Sequence, residues 1–558
     1  MPLTRTEERP ASRTARPGRG RRRSTGLVLA VAAVASAPTL AVAVDAVVGG
    51  GSVGAPEGLA DMVVTTAVLL LAVGAGTLVV GGGLAWLVTV YRFPLRDLFT
   101  WLLVLPLAVP AYILGFVFLS TFDVGGPLHA SIRAVLGADA WVPDMRSLPA
   151  CALVMTLTLY PYVYLLARAA LLEQAPATLD AARTLGAGRV RTLRTVVLPL
   201  ARPSLAAGLA LVMMEVLTDF ATVQYFGVKT VSVGVYLTWK GSYDFAAATQ
   251  LSMLVLAFAL AVLAGERLLR GRARFTQATR AGSGVAAVRL TGARAWAATA
   301  ACAAALSVAF VLPCVRLATW AAQEAVAGSS LLLDPRFAEY LANTLVLAAV
   351  AALACATAAL TLVHGSRLDG GRLGRSATQV ATLGYAVPGA VVGIGVLLVF
   401  RWVDSGLVAL GTGGTGLVVT GSVVGILYAY LVRFLAPAFQ AVDASLTKVS
   451  TRVTQSALVL GASPRRVLAR VHLPLARPGL VIALVLVVID VVKELPVVLM
   501  LRPFGFTTIS VWVYQLASEN FWAEAALPAL LIVAAALVPV VLLFRRAGLV
   551  DPRTGGHP

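Results

Sequence analysis

LPLARP occupies residues 198–203 and recurs unchanged at residues 473–478. Read backwards, the likeness extends over 25 residues. The first copy is LDAARTLGAGRVRTLRTVVLPLARP, 179–203, and the second is TQSALVLGASPRRVLARVHLPLARP, 454–478. Each has a short stretch of helical composition, a glycine (Gly186, Gly461), an Arg-rich helical stretch and then Leu-Pro. Glycine between helical stretches suits a turn, because it tolerates positive φ. Ser463-Pro464 suits a helix start in the second copy. Pro199 and Pro474 cannot continue a regular helix, so each is expected to separate a surface helix–turn–helix from the apolar segment after it.

Those apolar segments dominate the chain. Of 558 residues, 59% are hydrophobic and 13% charged, with mean hydropathy +0.87. Soluble chains carry about 45–50% and about 25%. The composition is that of an integral membrane protein. A bilayer core needs about 20 apolar residues per helix. Twelve segments qualify: 26–48, 62–90, 98–122, 148–171, 204–227, 245–265, 295–319, 340–364, 376–400, 417–440, 479–501 and 523–544. The run from Leu27 to Val48 is too long for the apolar core of a signal peptide and reads as a retained first span.

The formal charge of +19 lies mostly in arginines of alternate loops, including Arg189, Arg191 and Arg194, then Arg267 to Arg294, then Arg465, Arg466 and Arg470. The remaining loops carry the acids Asp123, Asp139, Asp144, Glu324, Asp334 and Glu519. This alternation puts both ends of the chain on the cytoplasmic side. It also accounts for the basic balance without a nucleic-acid partner. Cys151, Cys302, Cys314 and Cys355 stand singly in apolar segments and form no disulfide or zinc pattern. His129, His364, His472 and His557 lie far apart in sequence, and no catalytic constellation is visible.

The repeat reaches beyond the loop. TTAVLLLA from Thr65 resembles NTLVLAAV from Asn343, and AVPAYILGFVFL from Ala108 resembles AVPGAVVGIGVLL from Ala386. LYPY at 159–162 resembles LYAY at 427–430. Six segments are thus followed by six like them, in one orientation, so a pseudo-two-fold axis runs along the membrane normal. A pathway is expected between the halves. The expected organisation is a disordered basic cytoplasmic tail, 1–24; a first half, 25–269, with its loop at 173–203; a linker, 270–294; a second half, 295–546, with its loop at 443–478; and a cytoplasmic tail, 547–558. Pro110 and Pro388 fall inside the third and ninth segments and are expected to kink them.

Charges also stand inside the membrane. Glu215 and Asp219 lie in the fifth segment; Asp490, Lys493 and Glu494 lie in the eleventh. The spacing of the loops maps Glu215 onto Asp490 and Asp219 onto Glu494. Each half therefore places two carboxylates four residues apart, on one face of a helix. Such charges are costly at mid-membrane and face a cavity or a partner. They either line the passage or its gate, where carboxylates suit a hard cation such as Fe(III), or form a network with Lys493 that holds the halves together. Lys493 is within reach of Asp490.

The repeated loop resembles the EAA loop of ATP-binding-cassette (ABC) importer permeases: Glu-Ala-Ala, three residues, Gly, nine residues, an aliphatic, any residue, Leu-Pro. Asp180-Ala181-Ala182, Gly186, Val196 and Leu198-Pro199 fit in one copy; Ala457, Gly461, Val471 and Leu473-Pro474 fit in the other. Gln455 replaces the acid and Ser456 the first alanine in the second copy. The resemblance implies an all-α membrane protein of about 12 transmembrane helices in two parallel six-helix repeats, the type I ABC importer permease fold. It implies that each loop docks on an ATPase subunit, two copies in all, and that an extracytoplasmic binding protein delivers the cargo. No Gly-Lys pair occurs in the chain, so the phosphate-binding loop of an ATPase is absent. ATP and Mg therefore belong to the partner, and this chain has no catalytic residues. Two fused halves resemble the ferric-iron and thiamine permeases. The stretches from Met214 and from Lys493 look most like the ferric-iron type, with thiamine or phosphonate as the alternative cargo. An ion-gradient-driven secondary transporter is the rival class. The location implied is a bacterial inner membrane.

Overall fold

An apolar stretch in lipid has to satisfy its backbone internally, so a chain of this composition folds as helices. The computed structural model describes residues 19–48, 58–122, 126–137, 144–173, 191, 193–241, 244–270, 288–328, 334–369, 371–411, 419–447 and 449–546. The first half contains α1 (Arg19–Val48), α2 (Leu59–Val90), α3 (Arg96–Leu102), α4 (Ala111–Phe122), α5 (Pro127–Leu136), α6 (Leu148–Glu173), α7 (Leu198–Thr218), α8 (Ala221–Tyr225), α9 (Val231–Gly241) and α10 (Phe245–Arg270). The second contains α11 (Gly292–Leu306), α12 (Leu312–Val326), α13 (Pro335–Asp369), α14 (Arg372–Ala381), α15 (Gly389–Ala409) and α16 (Val423–Thr447). It continues with α17 (Thr451–Val459), α18 (Pro464–Val467), α19 (Leu473–Lys493), α20 (Pro496–Leu501), α21 (Ile509–Ser518) and α22 (Trp522–Arg546). Two short strands, β1 (Tyr91–Arg92) and β2 (Val288–Arg289), pair in parallel and pin the start of the second half to the end of α2.

Ten helices among the described residues are long and apolar enough to cross a membrane. The other two expected segments are a pair bent by 90°, Arg96–Ala108 with Ala111–Phe122, and the apolar stretch Trp522–Val538 of α22. Each of the twelve segments thus has its helix. The tail expected over 1–24 is shorter, because α1 already begins at Arg19; residues 1–18, the linker core 271–287 and the tail 547–558 lie outside the described residues.

Four segments expected to be continuous are broken. Pro110 and Pro388 are not inside helices but stand just before α4 and α15. The residues before them, Val109 (φ −98°, ψ 109°) and Val387 (φ −91°, ψ 124°), are extended. A proline ring clashes with a helical residue ahead of it, so the helix stops there. The fifth and eleventh segments break at Asp219 (φ −80°, ψ 108°) and Glu494 (φ −69°, ψ 128°). Pro496 opens α20 and forbids α19 from running through. At the other end of these helices the expected separation is absent. Pro199 and Pro474 sit in the first turns of α7 and α19, directly after π turns at 193–197 and 468–472. The widened turn accommodates the ring and its missing N–H, so α18 and α19 form one apolar rod, Pro464–Lys493.

The halves repeat in detail. The Val231 N–H donates to Thr66 Oγ1 at 3.0 Å, and the Ile509 N–H to Thr344 Oγ1 at 3.0 Å. Gly227 and Gly505 both have positive φ, 68° and 77°. The first helix of each half reaches across. α1 packs on α13, α14 and α15 as well as on α10. The Tyr428 hydroxyl donates to the Val34 carbonyl at 2.7 Å. A side chain on Gly395 would strike the Pro38 carbonyl, so glycine there lets α1 and α15 touch through their backbones. In return α11 and α12 lean on α3 and α4, with Thr299 Oγ1 donating to the Pro94 carbonyl at 3.1 Å.

A charged cavity at the helix breaks

Irregular backbone at membrane depth survives only where protein buries it or where it lines a cavity. Here it lines one. A cavity of about 110 Å³ touches three of the four breaks, at Val109–Pro110, at Asp219 and at Glu494–Pro496. All five residues expected in the pathway, Glu215, Asp219, Asp490, Lys493 and Glu494, line it. So do Arg433 and the tyrosines Tyr112, Tyr162 and Tyr385. Both halves contribute, as their pseudo-symmetry requires.

The expectation of two carboxylates on one helix face holds only for the first of each pair. Glu215 and Asp490 are on α7 and α19, but Asp219 and Glu494 lie past the ends of those helices and cap the short helices α8 and α20. Asp219 Oδ1 accepts the Thr222 N–H at 2.9 Å, and its other oxygen accepts the Thr222 hydroxyl. Glu494 Oε1 accepts the Val497 N–H at 3.2 Å. A carboxylate there also meets the positive end of the short helix. Carbonyls freed by the breaks are taken up by serines: Ser232 Oγ donates to Leu217 O at 2.6 Å, and Ser510 Oγ to Glu494 O at 2.7 Å.

The pairing of charges is unequal. Lys493 Nζ sits 2.9 Å from Asp490 Oδ1, one turn along α19. Arg433, on α16, places Nη1 3.0 Å from Glu494 Oε1, with both side chains 7% exposed. Both cations come from the second half; the repeat puts Leu165 and Thr218 at their places in the first. Glu215 therefore lines the cavity with no hydrogen-bond or ion-pair partner among the described residues, and Asp219 has only Thr222 and the backbone beside it. Two donors are also unmatched: Arg433 Nε and the Tyr112 hydroxyl are buried without an acceptor among the described residues. No group of three or more His, Cys, Asp or Glu among the described residues is placed to hold a metal ion. The cavity is lined by charge without being a closed chelate.

Sequence reading did not single out Arg433. The signal was present: an arginine at the centre of an apolar span requires an acid, and Glu494 was the available one. Gly389 completes this pair. A Cβ there would strike Arg433 Nη1 and lie 3.3 Å from Pro496 Cβ; its counterpart in the repeat is Ala111. Gly389→Ala is expected to displace the guanidinium and cost about 1–3 kcal/mol by overpacking. Thermal unfolding in detergent checks this, and an unchanged midpoint contradicts it.

Of the loop residues, Asp180, Ala181, Ala182 and Gly186 lie outside the described residues, while Leu198 and Pro199 open α7. The second copy is described throughout. Gly461 has φ 80°, its N–H donates to Leu458 O at 3.0 Å, and the Ala462 N–H donates to Ala457 O at 3.0 Å. This is a Schellman motif, and it explains why Ala457 and Gly461 keep their spacing. Ser463 accepts the Arg466 N–H and caps α18, with Pro464 at its first turn. Gln455 is exposed on α17; Leu473 and Pro474 are exposed where α19 begins. The tip of the loop carries Val459 and Leu460, 86% and 87% exposed.

The sequence pattern described as "Binding-protein-dependent transport system inner membrane component" matches this chain twice, at residues 77–265 and 354–556. The chain belongs to that family. Each match covers most of one repeat, including its Gly/Leu-Pro loop and broken helices. The permease is 25% identical to the "Fe(3+)-transport system permease protein FbpB 2" of Haemophilus influenzae over 496 residues, 88% of this chain and 90% of the relative. It is 30% identical to the sulfate transport system permease protein CysT of Salmonella typhimurium over 34% of this chain and 68% of CysT. It is 31% identical to a putative 2-aminoethylphosphonate transport system permease protein, PhnV, of Salmonella paratyphi A over 30% of this chain and 60% of PhnV. The permease is thus an all-α membrane protein of two fused repeats, with a transport role.

Proposed function

We propose that the permease carries ferric iron across a bacterial inner membrane, between a binding protein outside and two copies of a separate ATPase inside. The single observation behind the cargo is the likeness to a ferric-iron permease along nearly the whole of both chains. The cavity agrees with it, because four carboxylates face one small space and the two of the first half form no ion pair among the described residues. A translocation site has to release its cargo as readily as it takes it, so carboxylates that line the space without closing into a chelate suit passage better than storage. The ATPases dock on the two coupling loops; the second presents an exposed apolar tip at Val459 and Leu460, a surface of the kind a partner covers. ATP and Mg are held on those subunits, and both ends of the permease face them.

An oxyanion is the second reading. Arg433 Nε and the Tyr112 hydroxyl are donors in want of an acceptor, and the relatives include permeases named for sulfate and phosphonate. Proteoliposomes holding permease, ATPase and binding protein separate the two. ATP-dependent, vanadate-sensitive uptake of labelled Fe(III), uncompeted by sulfate or phosphonate, is the expected result. Uptake of either anion in place of iron overturns the ferric reading, and uptake that persists without an ATPase overturns the whole assignment. Glu215→Gln is expected to lower iron uptake about tenfold or more, since one mid-membrane charge is worth at least about 2.5 kcal/mol, while the ATPase still co-purifies.

A further inference from the structure

Four histidines far apart in sequence offered no constellation, yet the fold brings two together. His364 on α13 and His472, the last residue of the π turn before α19, place their Nδ1 atoms 2.8 Å apart. His472 Nε2 lies 2.9 Å from Thr454 Oγ1 on α17. All three are buried, at 9%, 1% and 4% exposure. A hydrogen bond between two ring nitrogens needs one with a proton and one without. If Thr454 donates to Nε2, then His472 Nδ1–H donates to His364; if Nε2–H donates to Thr454, His364 Nδ1–H donates to His472. Either way the three groups are ordered as one chain. Arg367, one turn beyond His364, adds a second tie by donating Nη1 to Val449 O at 3.2 Å, just before α17. The start of α17 and the root of α19 are thereby fastened to α13.

The residues at the corresponding places of the first half have no side chains able to form such a link. The repeat puts Val197 where His472 stands, Trp86 where His364 stands and Leu179 where Thr454 stands. Nor does the loop pattern call for it, because none of the three is among the residues that carry the EAA resemblance. What the link joins is informative. α19 runs from Leu473, next to His472, to Lys493, about 30 Å at 1.5 Å per residue. Its far end bears Asp490 and Lys493, with Glu494 capping it. α17 is the outer helix of the coupling loop. The relay thus stands between the surface offered to an ATPase and the helix that sets the second half's charges in the cavity.

We propose that His364, His472 and Thr454 are positioning residues that make α17, α19 and α13 move as one body, so that the second coupling loop transmits ATPase motion to the cavity through a polar link whose three residues the first half replaces with Trp86, Val197 and Leu179. This rests on the reading of the chain as an ABC permease. The test is made on reconstituted permease, ATPase and binding protein, with Fe(III) uptake and ATP hydrolysis measured side by side. Thr454→Val and His364→Leu keep size and lose the hydrogen bond. Each is expected to leave ATPase co-purification and basal hydrolysis intact while cutting iron imported per ATP by about 2- to 30-fold. Thr454→Ser and His364→Asn restore a hydroxyl and a nitrogen near the lost positions and are expected to stay within about twofold of the unaltered protein. An unchanged ratio in Thr454→Val and His364→Leu overturns the proposal, as does a His364→Asn variant as poor as His364→Leu. Absence of ATP-dependent uptake by the unaltered permease instead sinks the functional reading, and this one with it.

Discussion

Arg433→Met is expected to cost about 3–5 kcal/mol of stability, because it leaves a buried carboxylate with no countercharge. Glu494 is 6% exposed, and the only other hydrogen-bond donor to its carboxylate among the described residues is the Val497 N–H. Methionine fills most of the volume of the arginine stem, so the loss is electrostatic rather than a cavity effect. The double variant Arg433→Met with Glu494→Gln removes both charges and is expected to recover most of the unfolding midpoint in detergent. It is not expected to recover iron uptake, because the pair also faces the cavity. If Arg433→Met unfolds at the same temperature as the unaltered permease, the pair does not hold the break together. If the double variant transports normally, Arg433 and Glu494 are structural only.

The second large effect is expected from Gly461→Pro. Gly461 has φ 80° and donates its N–H to Leu458. Proline fixes φ near −65° and has no N–H, so it destroys the Schellman turn outright. The turn sets the angle between α17 and α18, and with it the presentation of Val459 and Leu460. Insertion is expected to be normal, since α18 and α19 form the span and lie after the turn. Association with the ATPase is expected to fall below detection in co-purification, most clearly when Gly186→Pro is combined with it. An ATPase that still co-purifies with the double variant contradicts the assignment of these loops as its docking sites. Gly461→Ala is the milder case, with a cost of about 1–2 kcal/mol for left-handed backbone and retained, weaker association.

Much of this architecture was legible because lipid imposes it. Length and hydropathy located twelve segments, and LPLARP exposed the repeat. The turn at Gly461 and the start at Ser463-Pro464 were readable for the same reason: each is a local demand on φ or on a backbone N–H. The breaks were not read, although Pro496 and the residues before Pro110 and Pro388 announced three of them. Asp219 was spaced four residues from Glu215, and that spacing looked helical. Its role as a cap depends on Thr222 turning back to meet it. The partners of the charges were hidden by distance. Arg433 lies 61 residues from Glu494, and His364 lies 108 residues from His472. Hydropathy carries no information about which helices are neighbours, and the repeat misleads here, since neither Arg433 nor either histidine has a counterpart in the first half.

The reach of α1 across to the second half has a consequence for biosynthesis. α1 is made before α2 to α12, and much of the surface it packs against, on α13 to α15, is made only after them. At about 5–20 residues per second, the roughly 300 intervening residues take about 15–60 s to synthesise. During that time α1 has α10 to pack on, and Pro38 lacks the Gly395 backbone that it later touches. Assembly therefore includes a clasp: α1 can close on the second half only after α13 to α15 have been made.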